Sequence, residues 1–261
     1  MPLIAWIILF CILGGLLSVL AAAVFLLFNE SLRNRLLPHL VSFATGTLLG
    51  AALLGLLPHA LEGVAGSDSH IIPLTLLAGL LGFFLLEKLV LWRHCHVDHC
   101  EVHDPDAPAH GHQTSTGTMI LVGDSLHNFL DGILIAGAFL TDVHLGVVTS
   151  LAVAAHEVPQ EVGDFAVLLH SGFSRSRAFV YNIISSLTTV VGGVLAWLAL
   201  QQTEAVLPYI LTIAASSFIY IAVADLIPTL HQRAEAHETV KQVLLITTGV
   251  LLIWSAHSTL H

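Results

Sequence analysis

Charged residues are scarce in this sequence. Only 10% of the 261 residues are Asp, Glu, Lys or Arg, whereas soluble domains contain about 25%. Lys and Arg number eight against 18 Asp and Glu, so the chain lacks the basic surface that a nucleic-acid partner requires. Hydrophobic residues make up 56% of the chain. This composition predicts an integral membrane protein whose surroundings are the lipid bilayer.

Cysteine is scarce as well, and the three cysteines, Cys11, Cys95 and Cys100, are too scattered for a disulfide framework. The first apolar run lacks a preceding basic segment and is longer than a signal-peptide core, so we expect a membrane helix there. Few cysteines and no targeting peptide fit a plasma membrane, such as the bacterial inner membrane. Histidine, in contrast, is abundant, with 17 residues, and it is the commonest metal ligand.

Apolar runs of about 20 residues recur along the chain, which is typical of transmembrane helices rather than barrel strands. They predict an all-α fold of eight spans in one bundle, forming a single domain over residues 1–261. The predicted spans are 4–28, 38–61, 71–92, 115–140, 145–169, 178–200, 206–230 and 240–260.

Basic residues accompany only the loops after the first, third, fifth and seventh spans. They are Arg33, Arg35, Lys88, Arg93, Arg175, Arg177, Arg233 and Lys241. The positive-inside rule places these loops in the cytoplasm and therefore both termini outside.

The fourth span carries Asp124, His127, Asn128 and Asp131. His127 and Asp131 are four residues apart, so they share one face of a helix, and Asp124 lies near that face. Imidazole, amide and carboxylate ligands suit Zn²⁺, with Fe²⁺ or Mn²⁺ as alternatives. A buried polar network that only joins helices is the competing interpretation.

The fifth span carries even more polar residues at membrane depth, where ionisable groups usually serve function. They are His156, Glu157, Gln160, Glu161 and Asp164, with Pro159 and Gly163 between them. Pro159 opens a turn and frees a carbonyl oxygen, which favours a cation-binding position. Gly163 is predicted to permit close helix approach. The two polar spans together predict a divalent-metal site on a transport path.

Two alternatives remain open from these residues. The segment His156-Glu-Val-Pro-Gln160 partly matches the H-E-x-x-H motif of zinc proteases. Glutamine replaces the second histidine and proline interrupts the motif, which disfavours an intramembrane zinc-dependent hydrolase. A membrane metal sensor would bind the ion without moving it.

The motifs His127-Asn-Phe-Leu-Asp-Gly132 and His156-Glu-Val-Pro-Gln-Glu-Val-Gly-Asp-Phe165 resemble those of the ZIP family of metal transporters, especially its histidine-rich subfamily. The resemblance implies a non-enzymatic importer of Zn²⁺, with Fe²⁺, Mn²⁺ and Cd²⁺ as further candidates, and a homodimer. It implies a first metal site of His127, Asp131, His156 and Gln160, and a second of Asn128, Asp131 and Glu157. The family usually has histidine or glutamate where this chain has Gln160, and Glu161 is a neighbouring candidate ligand.

Residues outside this pair of motifs extend the hypothesis. Asp124, Asp164, Asp225 and His59 are candidates for the ion path, and His59 equally fits an ordinary helix end. A flexible cytoplasmic loop is predicted at 94–114, with a composition typical of metal binding. Its candidate ligands are His94, Cys95, His96, His99, Cys100 and His103. A solvated linker of accidental composition is the alternative.

Overall fold

The computed structural model describes residues 2–64, 70–98, 110–200, 203–232 and 235–260, and nearly all of them are helical. The α-helices in these ranges are α1 Leu3–Phe25, α2 Glu30–Gly50, α3 Leu57–Gly63, α4 Ile71–Asp98, α5 His110–Thr141, α6 Val143–His170, α7 Arg175–Ser186, α8 Thr188–Leu200, α9 Leu207–Tyr220, α10 Ile227–His231 and α11 Ala236–Leu260. A short 3₁₀ turn at Glu204–Val206 precedes α9.

Two π-helical segments join α2 to α3 and α9 to α10. They are Ala51–Leu56 and Ile221–Leu226, and each is followed within two residues by a proline, Pro58 or Pro228. Proline lacks a backbone N–H and its ring displaces the preceding turn, which a wider turn accommodates. The second and seventh spans are therefore continuous helical rods that contain one wide turn each.

Seven helical segments within the described ranges are long and apolar enough to cross a membrane. They are Leu3–Phe25, Glu30–Gly63, Ile71–Leu89, Ile120–Thr141, Arg175–Leu200, Leu207–His231 and His237–Ser258. Helix α6, with 28 residues, is also long enough to cross a membrane. It is not among the seven segments, and it carries the ionisable residues of the predicted fifth span. The chain is thus an all-α, multi-pass membrane protein, as predicted. The second span begins at Glu30, earlier than the predicted residue 38, because Pro38 lies inside α2 rather than at its start.

Helices extend from both sides into the segment 94–114 that was predicted as a loop. The backbone of α4 continues to Asp98, so His94, Cys95 and His96 fall on its last turns, and α5 begins at His110. The candidate ligands His99, Cys100 and His103 lie outside the described residues.

Helices α5 and α6 occupy the centre of the bundle. α6 packs against α1, α2 and α5, and α5 packs most extensively against α8. Small residues allow the α5–α8 contact, since a Cβ atom at Gly132 would overlap the carbonyl of Thr189, and one at Gly192 that of Phe129. The prediction for Gly163 is wrong: no atom of another described helix lies within 4 Å of the position of its missing Cβ.

Candidate metal centre

Helices α5 and α6 are antiparallel and are joined by a single residue, Asp142. Asp142 separates the two helices, and its Oδ1 atom accepts from the backbone amides of His144 at 2.8 Å and Leu145 at 3.0 Å. This N-cap starts α6 directly after α5 ends. Because Asp142 lies midway in sequence between His127 and Glu157, an antiparallel pair of helices brings these two residues to the same depth.

Four side chains meet between the two helices. One ligand atom from each of His127, Asp131, His156 and Glu157 lies within 4.8 Å of the others, the only such group found in the described part of the chain. His127 Nε2 is 3.3 Å from Glu157 Oε1, and His156 Nε2 is 3.3 Å from Asp131 Oδ2. The two Nε2 atoms are also 3.3 Å apart.

These separations fit a tetrahedral zinc ion. Nitrogen and oxygen ligands lie about 2.0–2.2 Å from zinc, so the edges of a tetrahedron around it measure roughly 3.3–3.6 Å. The remaining nitrogen–oxygen pairs are His127–Asp131 at 3.8 Å and His156–Glu157 at 3.7 Å, only slightly longer. The four atoms could close on one cation with small side-chain movements.

The carboxylates of this group are buried, and their only close polar neighbours among the described residues are the two imidazole rings. Asp131, His156 and Glu157 are each only 1% exposed. Neither oxygen of Asp131 or of Glu157 has a hydrogen-bond partner among the described residues. No ion pair between described residues joins either carboxylate to a lysine or arginine. Burying such groups is costly unless a cation or a proton neutralises them.

Backbone contact orients the His156 ring. Its Nδ1 atom lies 3.0 Å from the carbonyl oxygen of Ala152, one turn earlier in α6. A carbonyl only accepts, so Nδ1 carries the proton and donates, and the lone pair is then on Nε2. That nitrogen is the one facing Asp131 and His127, the arrangement that metal-binding histidines usually have.

Asn128 has other partners in this structure. Its amide nitrogen donates to Asp124 Oδ1 at 2.9 Å, and its amide oxygen accepts from Thr189 Oγ1 at 2.8 Å. Thr189 belongs to α8 and is fully buried. Sequence reasoning missed it, because a threonine in an apolar span has no distinguishing signal. Asn128 therefore bridges α8 to Asp124 beside the group of four.

A cavity of about 630 Å³ opens next to the two histidines. Polar residues on its wall are Asp124, His127, His156, Gln160, Asp164, Asp225 and Thr229. Leu37 also lines it, one helical turn from Arg33, so the cavity lies in the half of the bundle that carries the basic loops. Gln160 faces the cavity outside the group of four, whereas Glu161 is fully buried and does not line it.

His59 lies elsewhere, near the end of the second span. Its ring contacts that of His257 with 5.4 Å between ring centroids, and its Nδ1 atom is 2.9 Å from the Gly55 carbonyl oxygen. The structure thus gathers Asp124, Asp164 and Asp225 around one cavity and leaves His59 apart from them.

Comparison with known families gives one match that extends along most of the chain. The sequence profile described as "ZIP Zinc transporter" matches residues 2–116 and 93–255. These two ranges include every helix from α1 to α10 and most of α11. They also contain all four residues of the cluster.

Curated relatives carry the same description. Zinc transporter ZIP13 of Pongo abelii is 31% identical over 233 residues, covering 83% of this chain and 66% of the relative. ZIP13 of Mus musculus is 31% identical over 249 residues, with 83% and 69% covered. ZIP4 of Homo sapiens is 32% identical over 246 residues, with 73% and 38% covered. The chain spans about two thirds of the ZIP13 relatives and little more than a third of ZIP4.

Proposed function

The chain belongs to the ZIP family of zinc transporters, and on that premise we propose that it imports Zn²⁺ toward the cytoplasm. Members of this family are transporters rather than enzymes, which disfavours the intramembrane hydrolase. The observation that supports the proposal best is the group of His127, Asp131, His156 and Glu157, whose buried carboxylates accept no hydrogen bond from the described residues.

A carrier has to bind its cargo and let it go. Two histidines and two carboxylates at tetrahedral spacing would replace the water around Zn²⁺, and such mixed ligands exchange faster than a closed thiolate cage. The neighbouring cavity of about 630 Å³ has room for a hydrated ion and would serve as its exit. Because it lies in the half that carries the basic loops, the proposed direction is toward the cytoplasm, with both termini outside.

Other candidate residues take places around this centre. Asn128, with Asp131 and Glu157, would hold a second ion once its oxygen leaves Thr189. Gln160 would contribute a neutral oxygen from the cavity wall. The departing cation would be attracted by three residues of the cavity wall, Asp124, Asp164 and Asp225. His59 would attract cations at the entrance, near the outer end of the second span.

The remaining proposals concern the setting of the carrier. It would act as a homodimer in a plasma membrane, such as the bacterial inner membrane. Fe²⁺, Mn²⁺ and Cd²⁺ are proposed as further cargo, since the same ligand types accept them. The histidines and cysteines at 94–114, including His99, Cys100 and His103, would receive or buffer metal on the cytoplasmic side.

Uptake of ⁶⁵Zn²⁺ into proteoliposomes tests the proposed function. His156→Ala removes a nitrogen ligand, and we expect uptake to fall by more than about 100-fold, since even an outer partner of a ligand contributes 10–100-fold in affinity. His170→Ala is the matched control, because His170 is an exposed histidine at the end of the same helix. Zinc bound by the purified protein is counted in parallel.

The outcomes separate the competing classes. A carrier loses both binding and uptake in His156→Ala and retains both in His170→Ala. A metal sensor binds Zn²⁺ but moves none under a gradient, which would contradict transport. Unchanged uptake in His156→Ala would contradict the assignment of the centre.

A further inference from the structure

A second pair of histidines meets at the end of the bundle that lies opposite the basic loops. His59 belongs to α3, and His257 belongs to the last turn of α11. The spans that end with these two histidines carry Arg33 and Lys241 in their first turns. Neither histidine is among the residues that line the cavity beside the metal centre. The pair is therefore a separate feature of the bundle.

Close packing of α11 against α2 brings the two histidines together. A Cβ atom at Gly46 would overlap the carbonyl of Ile246, and one at Gly50 would lie 3.2 Å from the Cβ atom of Ile253. These contacts advance in the same direction along both helices, so the helices are parallel and end on the same side of the bundle. Ile253 is fully buried, and His257 follows it by one helical turn.

The two rings have nearly the same relative geometry as the histidine rings of the metal centre. The ring centroids of His59 and His257 are 5.4 Å apart, and their planes meet at 76°. The corresponding values for His127 and His156 are 5.6 Å and 85°. Two imidazoles on different helices are thus placed at a spacing that this chain also uses where four ligand atoms could close on one cation.

A backbone contact orients the His59 ring for metal binding. Its Nδ1 atom is 2.9 Å from the carbonyl oxygen of Gly55. A carbonyl only accepts, so Nδ1 carries the proton and Nε2 carries the lone pair. The same one-turn contact, between His156 and Ala152, orients a ring of the central group, and metal-binding histidines usually have such a contact. Both rings of the outer pair are half-buried, so an ion there would keep contact with water.

We propose that His59 and His257 together bind one Zn²⁺ ion at this end of the bundle, each through one ring nitrogen. Imidazole is a suitable ligand for Zn²⁺ and Cu²⁺. Neither histidine belongs to a group of three metal-binding side chains in the described ranges, so water would complete the coordination. A bound ion would join the end of the second span to the end of the eighth. The site would fill whether or not the central group holds an ion.

Quenching of Trp254 fluorescence by Cu²⁺ tests this site in the purified full chain. Trp254 is exposed and precedes His257 by three residues on α11, so the two side chains are neighbours on the helix surface. Cu²⁺ is the probe because it binds imidazole more tightly than Zn²⁺ does and quenches a nearby indole. The part of the quenching that Trp254→Phe removes reports on an ion near His257. We expect an excess of Zn²⁺ to relieve it.

His59→Ala is the decisive variant, because His59 lies on a different helix from the reporter. His59→Ala and His257→Ala should each lower the Cu²⁺ affinity at least about tenfold, since even an outer partner of a ligand contributes that much. The double variant should bind little more weakly than either single variant, because each removes the same ion. His70→Ala is the matched control, since His70 is an exposed histidine directly before α4. Each variant is first shown to elute as a single species in gel filtration.

Three results would overturn the proposal. The first is the absence of Cu²⁺ quenching of Trp254 in the wild type, and the second is quenching that excess Zn²⁺ does not relieve. The third is wild-type Cu²⁺ affinity in His59→Ala, which would show that the two rings only pack against each other. The central group is tested separately, because His156→Ala removes one of its ligands and should leave the quenching of Trp254 intact.

Discussion

Replacing Gly132 with alanine should disrupt the proposed metal centre by forcing α5 and α8 apart. The added Cβ would overlap the Thr189 carbonyl and lie 2.7 Å from the backbone nitrogen of Gly193. Ordinary contacts of carbon atoms are about 3.5–4.0 Å, so α5 and α8 would have to separate by at least about 1 Å. Both neighbours are backbone atoms, which cannot rotate away as a flexible side chain would. Overpacking of this kind typically costs about 1–3 kcal/mol of stability.

Separating the two helices would also displace Asp131, because Gly132 directly follows it in α5. Metal–ligand distances tolerate deviations of only about 0.2 Å. A shift of roughly 1 Å in α5 therefore misplaces the carboxylate, and we expect ⁶⁵Zn²⁺ uptake to fall at least about tenfold, the smaller effect seen when support of a ligand is lost. Uptake is measured in proteoliposomes and normalised to protein that elutes as a single species in gel filtration.

Gly163→Ala is the matched control on the neighbouring helix. No described atom lies within 4 Å of a Cβ at Gly163, and alanine favours a helix interior over glycine by roughly 0.5–1 kcal/mol. This variant should be as stable as the wild type or more stable, with unchanged uptake. If Gly132→Ala retains full uptake, or if both variants lose it equally, close α5–α8 packing does not support the centre and the reasoning is refuted.

Two further predictions concern residues outside the four ligands. Thr189→Val should remove the donor to the Asn128 oxygen and lower the free energy of unfolding by about 1–3 kcal/mol, measured by thermal unfolding. Thr189→Ser keeps the hydroxyl donor and should keep the hydrogen bond. Equal stability of all three proteins would show that this hydrogen bond contributes little. Deletion of residues 99–109, joined by a Gly/Ser linker of equal length, should leave ⁶⁵Zn²⁺ uptake measurable but change its dependence on Zn²⁺ concentration. An unchanged concentration dependence would contradict the buffering role.

Much of the fold was predictable because hydrophobic length is a strong signal. Each apolar run of about 20 residues corresponds to a helical segment. Helix ends were less predictable, because polar helical turns continue past the apolar run, as at Asp98 and His110. The π-helical turns before Pro58 and Pro228 were also not predicted. Proline signals disruption of a helix, but sequence alone does not distinguish a wide turn from a kink or a break.

Local spacing was sufficient to predict which ligand candidates share a helix face. Residues four apart, such as His127 and Asp131, lie on the same side whatever the tertiary packing. The contacts between helices could be identified only from the structure. The hydrogen bond from Thr189 to Asn128 depends on the rotation of α8, which its apolar sequence does not determine. Sequence alone likewise could not show which glycine lies at a helix contact. Gly163 was predicted there, but it is Gly132 that lies against the backbone of α8.

Charge balance gives a physical account of Gln160, where the chain departs from the usual family pattern. Asp131 and Glu157 would supply two negative charges to the group of four. A histidine must be neutral to bind a metal ion, so His127 and His156 would add no charge to the bound complex. A Zn²⁺ ion bound there would therefore make a buried complex with no net charge, which minimises the desolvation cost. A glutamate at residue 160, on the cavity wall beside this group, would add a third negative charge and hold the cation more strongly. The neutral amide would keep the charge of the proposed centre balanced. Gln160→Glu should therefore bind Zn²⁺ more tightly and release it more slowly in a chelator-chase measurement.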